Sequence, residues 1–140
     1  MPLPSMMAVM KNRQTTLKRL LLADGSIDVS ERLREQLGTV DNLAVLGPAR
    51  NGKELLSMFT RYGSDSVVLD FQIPGINSLE IVERIRARDG NCVVIVLTFN
   101  YNELVHNCCI DSGADYVIDK TDNLSRVVEI VRELATNSHD

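Results

Sequence analysis

Short apolar runs alternate with longer segments of helical period along most of the chain. The runs are rich in β-branched residues and carry few charges, which is typical of strands that are buried on both faces. In the segments between them, apolar residues recur every three or four positions, as in helices that cover a sheet. This alternation predicts βαβ units and one α/β domain with a doubly wound parallel sheet. The predicted strands cover residues 20–23, 43–46, 66–70, 93–97 and 116–118.

The predicted helices have residues suited to cap them and apolar faces to cover the sheet. The fourth helix, residues 102–112, is patterned more weakly than the others and ends at Gly113. The expected capping residues are Ser26, Asn51, Asn77 and, for the last helix, Asp122 or Asn123. The side chains expected to face the sheet are Ile27, Leu33 and Leu37; Leu55, Met58, Phe59 and Tyr62; Leu79, Val82 and Ile85; and Leu124, Val127, Val131 and Leu134.

Composition and charge narrow the functional classes. With 140 residues, 44% of them hydrophobic, the chain has the size of one domain with its own core. A net charge of -4 argues against a nucleic-acid partner, because phosphate contacts need clustered Lys and Arg. Arg84, Arg86 and Arg88 do lie close together, but we expect them to form the solvated outer face of a helix.

The cysteines and the apolar runs predict a cytoplasmic location. Cys92, Cys108 and Cys109 lack the spacing of a metal site, and an odd number of cysteines fits a reducing compartment. The apolar runs fall well short of the roughly 20 residues of a membrane span, so we expect no membrane insertion. We expect residues 1–16 to form a flexible N-terminal tail, residues 17–137 the domain and residues 138–140 a C-terminal tail.

Four predicted strands end on a side chain with chemical capacity, namely Asp24, Asp70, Thr98 and Lys120. Because right-handed crossovers bring the carboxyl ends of parallel strands to one edge, we expect these side chains to share a crevice. Carboxylates are ligands for Mg²⁺, whereas an ammonium and a hydroxyl group bind phosphoryl oxygens. The pattern therefore predicts a site for a divalent cation together with a phosphoryl group.

Each of these residues also has a simpler interpretation. A single Asp at a strand end more often stabilises a turn, a terminal Lys is usually solvated, and Thr98 alone would be an ordinary strand residue. We assign Asp28 to the first turn of a helix and Asp119 to a loop. The convergence of four such residues on one edge of the sheet favours a shared site.

The segment around Asp70 resembles the phosphoacceptor strand and loop of response regulator receiver domains, which act in two-component signalling. The resemblance covers residues 17–137 and implies a flavodoxin-like fold of five βα units with strand order 2-1-3-4-5. The matching motifs are Val67-Val68-Leu69-Asp70-Phe71-Gln72-Ile73-Pro74-Gly75, Leu79-Glu80, Leu97-Thr98, Gly113-Ala114-Asp115 and Asp119-Lys120.

The resemblance implies that Asp70 accepts a phosphoryl group from a sensor histidine kinase or a histidine phosphotransferase. Mg²⁺ would be held by Asp24, Asp70 and the backbone carbonyl of Gln72, while Lys120 and Thr98 would contact the phosphoryl oxygens. Catalysis would consist of positioning and charge neutralisation. The chain would thus catalyse its own phosphorylation and a slow autodephosphorylation, and it would signal to a downstream protein target.

Several positions depart from the pattern of that family. Ala23 replaces the first of two adjacent acids, so we expect weak Mg²⁺ binding. Phe99 replaces a commonly small residue and is expected to narrow or cover the mouth of the site. Val117 replaces an aromatic switch residue, so coupling would have to run through Phe99 or Tyr101. Thr121 replaces a proline, and we expect a trans bond before it because a cis bond would cost roughly 3 kcal/mol.

Two functions remain open from the sequence. The first is a stand-alone receiver that is phosphorylated on Asp70 and signals by protein contact, with no output domain expected after residue 137. The second is a pseudo-receiver that binds partners without phosphorylation, which Ala23, Phe99 and Val117 favour. For the stand-alone receiver the candidate contact surface, by analogy with the family, is the fourth helix, the fifth strand and the fifth helix. It includes His106, Asn107, Tyr116 and Arg126.

A small hydrolase or a flavoprotein is a third class, and two motifs argue against it. Aspartate-nucleophile phosphatases carry a second Asp where Gln72 stands in this chain. The segment Asp24-Gly25-Ser26 is a poor substitute for the Ser-, Thr- and Gly-rich loop that binds a flavin phosphate. Both activities are therefore disfavoured.

Overall fold

The computed structural model describes residues 17–121 and 124–136. The predicted tails, residues 1–16 and 138–140, and the predicted cap at Asp122 or Asn123 lie outside these residues. Within the described ranges, no helix is both long and apolar enough to cross a membrane. Strands and helices alternate throughout, as predicted. The strands are β1 Lys18–Ala23, β2 Leu43–Ala49, β3 Ser66–Asp70, β4 Val93–Thr98 and β5 Tyr116–Asp119; the helices are α1 Ile27–Leu37, α2 Gly52–Tyr62, α3 Ser78–Arg88, α4 Glu103–Ser112 and α5 Leu124–Thr136.

The five strands form one parallel sheet in the order β2-β1-β3-β4-β5. This confirms the predicted fold and strand order. The register places Ala23 beside Leu69 and Asp70 beside Leu97. The ends of β1, β3 and β4 are therefore level, and the residues that follow them meet at the carboxyl edge of the sheet.

Successive residues of the central strands pack on opposite faces of the sheet, because side chains alternate along a strand. Val67 and Leu69 of β3 belong to a core that includes side chains of α2, α3 and α4. Val68, between them, belongs to a second core with α1 and α5. The sheet is thus covered on both faces, which explains why its strands appear in the sequence as continuous apolar runs.

The predicted helix caps are confirmed within the described residues. The side chains of Ser26, Asn51 and Asn77 each accept a hydrogen bond from a backbone N–H in the first turn of α1, α2 and α3. Each cap satisfies one of the donors that a helix start leaves without an intrahelical partner. These caps fix where each helix leaves the carboxyl edge of the sheet.

Two apolar residues expected to face the sheet do not. Ile27 is 59% exposed, because the buried face of α1 follows Val29, Leu33 and Leu37 and Ile27 falls outside that stripe. Tyr62 is 48% exposed because it is the last residue of α2, where the chain turns away from the sheet at Gly63. The helical period of the apolar residues predicted both helices, but it did not define where the face that packs on the sheet ends.

The prediction that Arg86 lies on a solvated outer face was wrong. Its guanidinium donates hydrogen bonds to the carbonyls of Gly90 (2.9 Å), Cys92 (2.6 Å) and Gly113 (2.7 and 3.1 Å). It also forms an ion pair of 2.7 Å with Oδ2 of Asp115. Arg86 therefore joins the end of α3 to the loops that precede β4 and β5.

The close packing of Gly113 explains how Arg86 reaches these acceptors. Gly113 has a φ of +118°, in the left-handed region, and a Cβ added there would lie 3.3 Å from Cβ and Cγ of Arg86. Arg84 and Arg88 are exposed as predicted, and Arg84 pairs with Glu80 one turn earlier on α3. The three arginines are alike in sequence, and the packing separates Arg86 from the other two.

The three cysteines are free thiols, and two of them should be unreactive in the folded protein. Burial, followed by the nearby charge of Asp89, raises the pKa of Cys92 to about 12. Burial also raises the pKa of Cys109 to about 11. Since the thiolate is the nucleophile, iodoacetamide at pH 8 should modify the half-buried Cys108 first.

Intact-mass measurement checks this prediction. We expect one adduct per chain in the folded protein and three in urea. Modification of Cys92 or Cys109 as fast as Cys108 in the folded protein would contradict the packing described above.

Candidate functional site

Three charged side chains from different strand ends meet at the carboxyl edge of the sheet. The ammonium of Lys120 lies 3.0 Å from Oδ2 of Asp24 and 3.3 Å from Oδ2 of Asp70. Asp24 is completely buried and the side chain of Lys120 is 1% exposed, whereas that of Asp70 is 13% exposed. The sequence predicted that these residues share one crevice, and the structure places Lys120 within ion-pair distance of both acids.

Asp24 is positioned by the end of β1 and the turn into α1. Its Oδ1 accepts a hydrogen bond of 2.7 Å from the N–H of Ser26. Its Oδ2 is buried, and no donor among the described residues forms a hydrogen bond to it with acceptable geometry. The 3.0 Å contact with Lys120 is therefore an ion pair without good hydrogen-bond alignment. A buried carboxylate oxygen in this state has lone pairs available for a ligand.

Asp70 is the more accessible of the two acids in this cluster. Its Oδ1 accepts a hydrogen bond of 3.1 Å from the N–H of Gln72, and its Oδ2 faces Lys120. The loop that follows is held by a hydrogen bond of 3.0 Å from the Gly52 N–H to the Pro74 carbonyl. One carboxylate oxygen is thus fixed by the backbone, while the other points toward the ammonium.

Lys120 is placed by β5 and by the turn after it. Its N–H donates to the carbonyl of Thr98 across the edge of the sheet (2.9 Å). The hydroxyl and N–H of Thr121 donate to Oδ1 of Asp119, and these two hydrogen bonds lower the pKa of Asp119. Asp119 is the last residue of β5 and not a loop residue as predicted, but its side chain is hydrogen-bonded within the turn that follows. The bond before Thr121 is trans, since the cis bond among the described residues precedes Pro48.

Thr98 lies at the same edge, and its hydroxyl oxygen accepts a hydrogen bond from the turn that follows β4. Thr98 is buried, is the last residue of β4, and lies beside Asp119 in the register. Its Oγ1 accepts a hydrogen bond of 3.1 Å from the N–H of Asn100. Because a hydroxyl group can accept and donate at the same time, Thr98 can keep this hydrogen bond while its O–H donates to a group on Asp70.

Phe99 lies at the mouth of the site, as the sequence suggested. The centroid of its ring is 4.6 Å from Nζ of Lys120. The side chain remains 50% exposed, so the ring covers the ammonium without closing the site. Asp70 keeps part of its side chain accessible to solvent.

Arg50 is a residue of this region that the sequence reasoning missed. It follows the end of β2, and its guanidinium donates to the backbone carbonyl of Asp24 (3.2 Å) and to Oγ of Ser30 (3.4 Å). The sequence predicted that this strand ends on Leu46, whereas β2 continues to Ala49. Because the predicted strand ended three residues early, Arg50 was not recognised as the residue that follows it.

The cluster offers few ligands for a metal ion. In the part of the chain that the structure describes, no group of three or more His, Cys, Asp and Glu side chains could hold a cation. Two carboxylates are present, and the buried Asp24 Oδ2 lacks a hydrogen-bond donor. This donor set fits a divalent cation that keeps several waters, as Mg²⁺ does, and Ala23 contributes no third carboxylate.

The protein is an α/β domain with a parallel sheet that carries two acids and a buried ammonium at its carboxyl edge. The family model for the response regulator receiver domain matches residues 20–132. The chain belongs to this family.

The chain also resembles individual proteins. It is 25% identical over 100 residues to the DNA-binding transcriptional activator EvgA of Escherichia coli K12, which covers 64% of this chain and 48% of EvgA. The chain spans less than half the length of such curated relatives.

Solved structures share the fold. The signal receiver domain of the response regulator NarL from Mycobacterium tuberculosis superposes with a TM-score of 0.77 at 18% identity, covering 86% of this chain and 97% of that one. A response regulator from Burkholderia pseudomallei, solved with a phosphorylated aspartic acid, calcium ion and citrate, gives 0.72 at 18% identity. That match covers 87% of this chain and 71% of the other.

Proposed function

We propose that this chain is a receiver that accepts a phosphoryl group on Asp70 and signals through contact with another protein. The observation that carries the proposal is the placement of Lys120, whose ammonium lies 3.3 Å from the accessible carboxylate of Asp70. A phosphohistidine on a sensor kinase or a histidine phosphotransferase would be the donor. A carboxylate oxygen of Asp70 forms the new O–P bond as the P–N bond breaks, and the imidazole leaves.

The residues of the chain would act by position and charge. Lys120 would neutralise phosphoryl oxygens, and the hydroxyl of Thr98 would donate to the same group while its oxygen accepts from the Asn100 N–H. Phosphorylation adds about -1.5 to -2 charges, which would bias the loops carrying Thr98 and Lys120 toward a second arrangement. The chain would catalyse this single transfer and a slow hydrolysis, not the turnover of a separate substrate.

Mg²⁺ is the proposed cofactor, bound weakly. Asp24, Asp70 and the backbone carbonyl of Gln72 would hold it, and it would supply charge neutralisation at the transferring group. Two features support weak binding. Ala23 leaves two carboxylates in the site, and the ammonium of Lys120 already lies between them.

Phosphorylation of Asp70 is tested with acetyl phosphate or phosphoramidate and Mg²⁺. We expect a mass increase of one phosphoryl group in the wild-type protein and none in Asp70→Asn, because the amide is not a nucleophile. Omission of Mg²⁺ should slow the reaction, and half-saturation should require millimolar Mg²⁺.

The matched control is Asp65→Asn, which changes an exposed acid at the opposite edge of the sheet. It should be modified as fast as the wild-type protein. If the wild-type protein gains no mass at saturating donor and Mg²⁺, or if Asp70→Asn gains as much, phosphorylation on Asp70 is refuted. The first of these outcomes would favour the pseudo-receiver.

The output of the receiver has two candidate forms. A stand-alone receiver would act through the surface that includes His106, Asn107, Tyr116 and Arg126, and the net charge of -4 supports a protein partner. The second candidate is the receiver part of a longer regulator, because EvgA is a DNA-binding transcriptional activator and the match covers 48% of it. An immunoblot of the cellular product separates them by size.

A further inference from the structure

The half-exposed ring of Phe99 lies on one of the most buried charges in the described residues. Its centroid is 4.6 Å from Nζ of Lys120, inside the range of about 6 Å in which a ring attracts a cation. The ring is 50% exposed, whereas Lys120 is 2% exposed. A large apolar side chain that stays half in water while it covers an ammonium calls for a physical explanation.

The environment of the ammonium provides one. Two carboxylate oxygens lie 3.0 and 3.3 Å from the nitrogen of Lys120 as ion pairs, and Oδ2 of Asp24 receives no well-aligned hydrogen bond from it. The ring of Phe99 lies over the same nitrogen and attracts it electrostatically. An aliphatic side chain of similar volume would exclude water equally well but would not attract the cation.

Phe99 also shares a short turn with the Thr98 hydroxyl, which would contact the phosphoryl group. Thr98 precedes it, and the N–H of Asn100, which follows it, donates to Oγ1 of Thr98. The position of the ring on the ammonium therefore constrains the turn from which the Thr98 hydroxyl would reach Asp70. This contact joins the ends of β4 and β5 without an aromatic residue at Val117.

We propose that Phe99 is a positioning residue for Lys120, which holds the ammonium beside Asp24 and Asp70 by a cation–π contact. The inference rests on the proposed function for its consequence in phosphoryl binding. The contact itself does not depend on that function, so the two can be tested separately.

The first test is a double-mutant cycle on folding with Phe99→Leu and Lys120→Met. Phe99→Leu keeps an apolar side chain at a half-exposed position, so the fold should be retained. We expect the pair to show a coupling of about two- to thirty-fold in the unfolding equilibrium constant. Additive effects of the two substitutions would overturn the proposal whether or not Asp70 is phosphorylated.

The second test measures affinity for fluoroberyllate with Mg²⁺ by calorimetry. Phe99→Leu should weaken binding by about two- to thirty-fold, while Phe99→Tyr, which keeps the ring, should stay within about twofold. The matched control is Tyr62→Leu, which removes a ring of similar exposure (48%) at the last residue of α2, away from the carboxyl edge of the sheet. It should also stay within about twofold.

The outcomes distinguish the two proposals. If the wild-type protein binds no fluoroberyllate, the proposed function fails, and the folding cycle alone decides on Phe99. If the wild-type protein binds and Phe99→Leu binds equally well, the role of Phe99 is refuted while the proposed function stands.

A spectroscopic measurement adds an independent readout. The chain contains no tryptophan, so Phe99→Trp introduces a single indole over Lys120. We expect its emission maximum to shift when Lys120→Met is added to this variant, since the cation leaves the ring. An unchanged spectrum would contradict the contact.

Discussion

Replacing Lys120 with methionine should lower the free energy of unfolding by about 3 kcal/mol or more. The substitution removes the cation that lies 3.0 Å from Asp24 and 3.3 Å from Asp70. Asp24 is completely buried, so its charge would be left without compensation in a medium of low dielectric. Urea denaturation of the two proteins measures the difference.

A second substitution separates charge from packing. Asp24→Asn in the Lys120→Met background removes the uncompensated charge, and we expect it to restore at least half of the lost stability. The four proteins of this cycle give the coupling between the two side chains. If Asp24→Asn restores nothing, the loss in Lys120→Met comes from packing, and the ion pair does not determine it.

Replacing Arg86 with methionine should destabilise the fold by about 2 to 4 kcal/mol. The change leaves the carbonyls of Gly90, Cys92 and Gly113 without their shared donor. It also removes the ion pair with Asp115, whose Oδ2 would keep only the hydrogen bond from the N–H of Val94. The expected loss of stability is smaller than for a fully buried ion pair, because the side chain of Arg86 is 25% exposed and that of Asp115 is 41% exposed.

Two further arginine variants serve as comparisons for Arg86→Met. Arg84→Met removes an exposed arginine of the same helix that pairs with Glu80, and it should change stability by less than about 0.5 kcal/mol. Arg86→Lys keeps the charge but not the planar group that reaches several acceptors, so it should recover a minor part of the loss. Equal stability of Arg86→Met and Arg84→Met would contradict the network.

The ion pairs of Lys120 and Arg86 differ in burial, since the first is buried and the second is partly exposed. Around Lys120 the charges lie at the edge where the chemistry is proposed. Around Arg86 they lie at the end of α3, away from the carboxyl edge, where the guanidinium joins loops before β4 and β5. The buried charges around Lys120 would limit the stability of the fold in favour of a reactive site. The contacts of Arg86 stabilise the loops before β4 and β5, and thus the sheet that carries this site.

The sequence by itself determined the fold class, the order of the elements and most of their limits. Apolar runs without charges define strands buried on both faces, and this signal is local. Capping residues such as Asn51 and Asn77 act within one helical turn, so they too could be predicted. The convergence of Asp24, Asp70 and Lys120 followed from topology alone, because parallel strands end at one edge.

The tertiary structure alone decided how these side chains are oriented and which further residues contact them. The hydroxyl of Thr98 is bonded to Asn100, the ring of Phe99 covers Lys120, and Arg50 reaches the backbone of Asp24. Arg84 and Arg86 share a charged stretch of sequence, yet one is exposed and the other joins two loops. The physical reason is that strand and helix periods depend on neighbours in sequence, whereas side-chain partners depend on segments that meet only after packing.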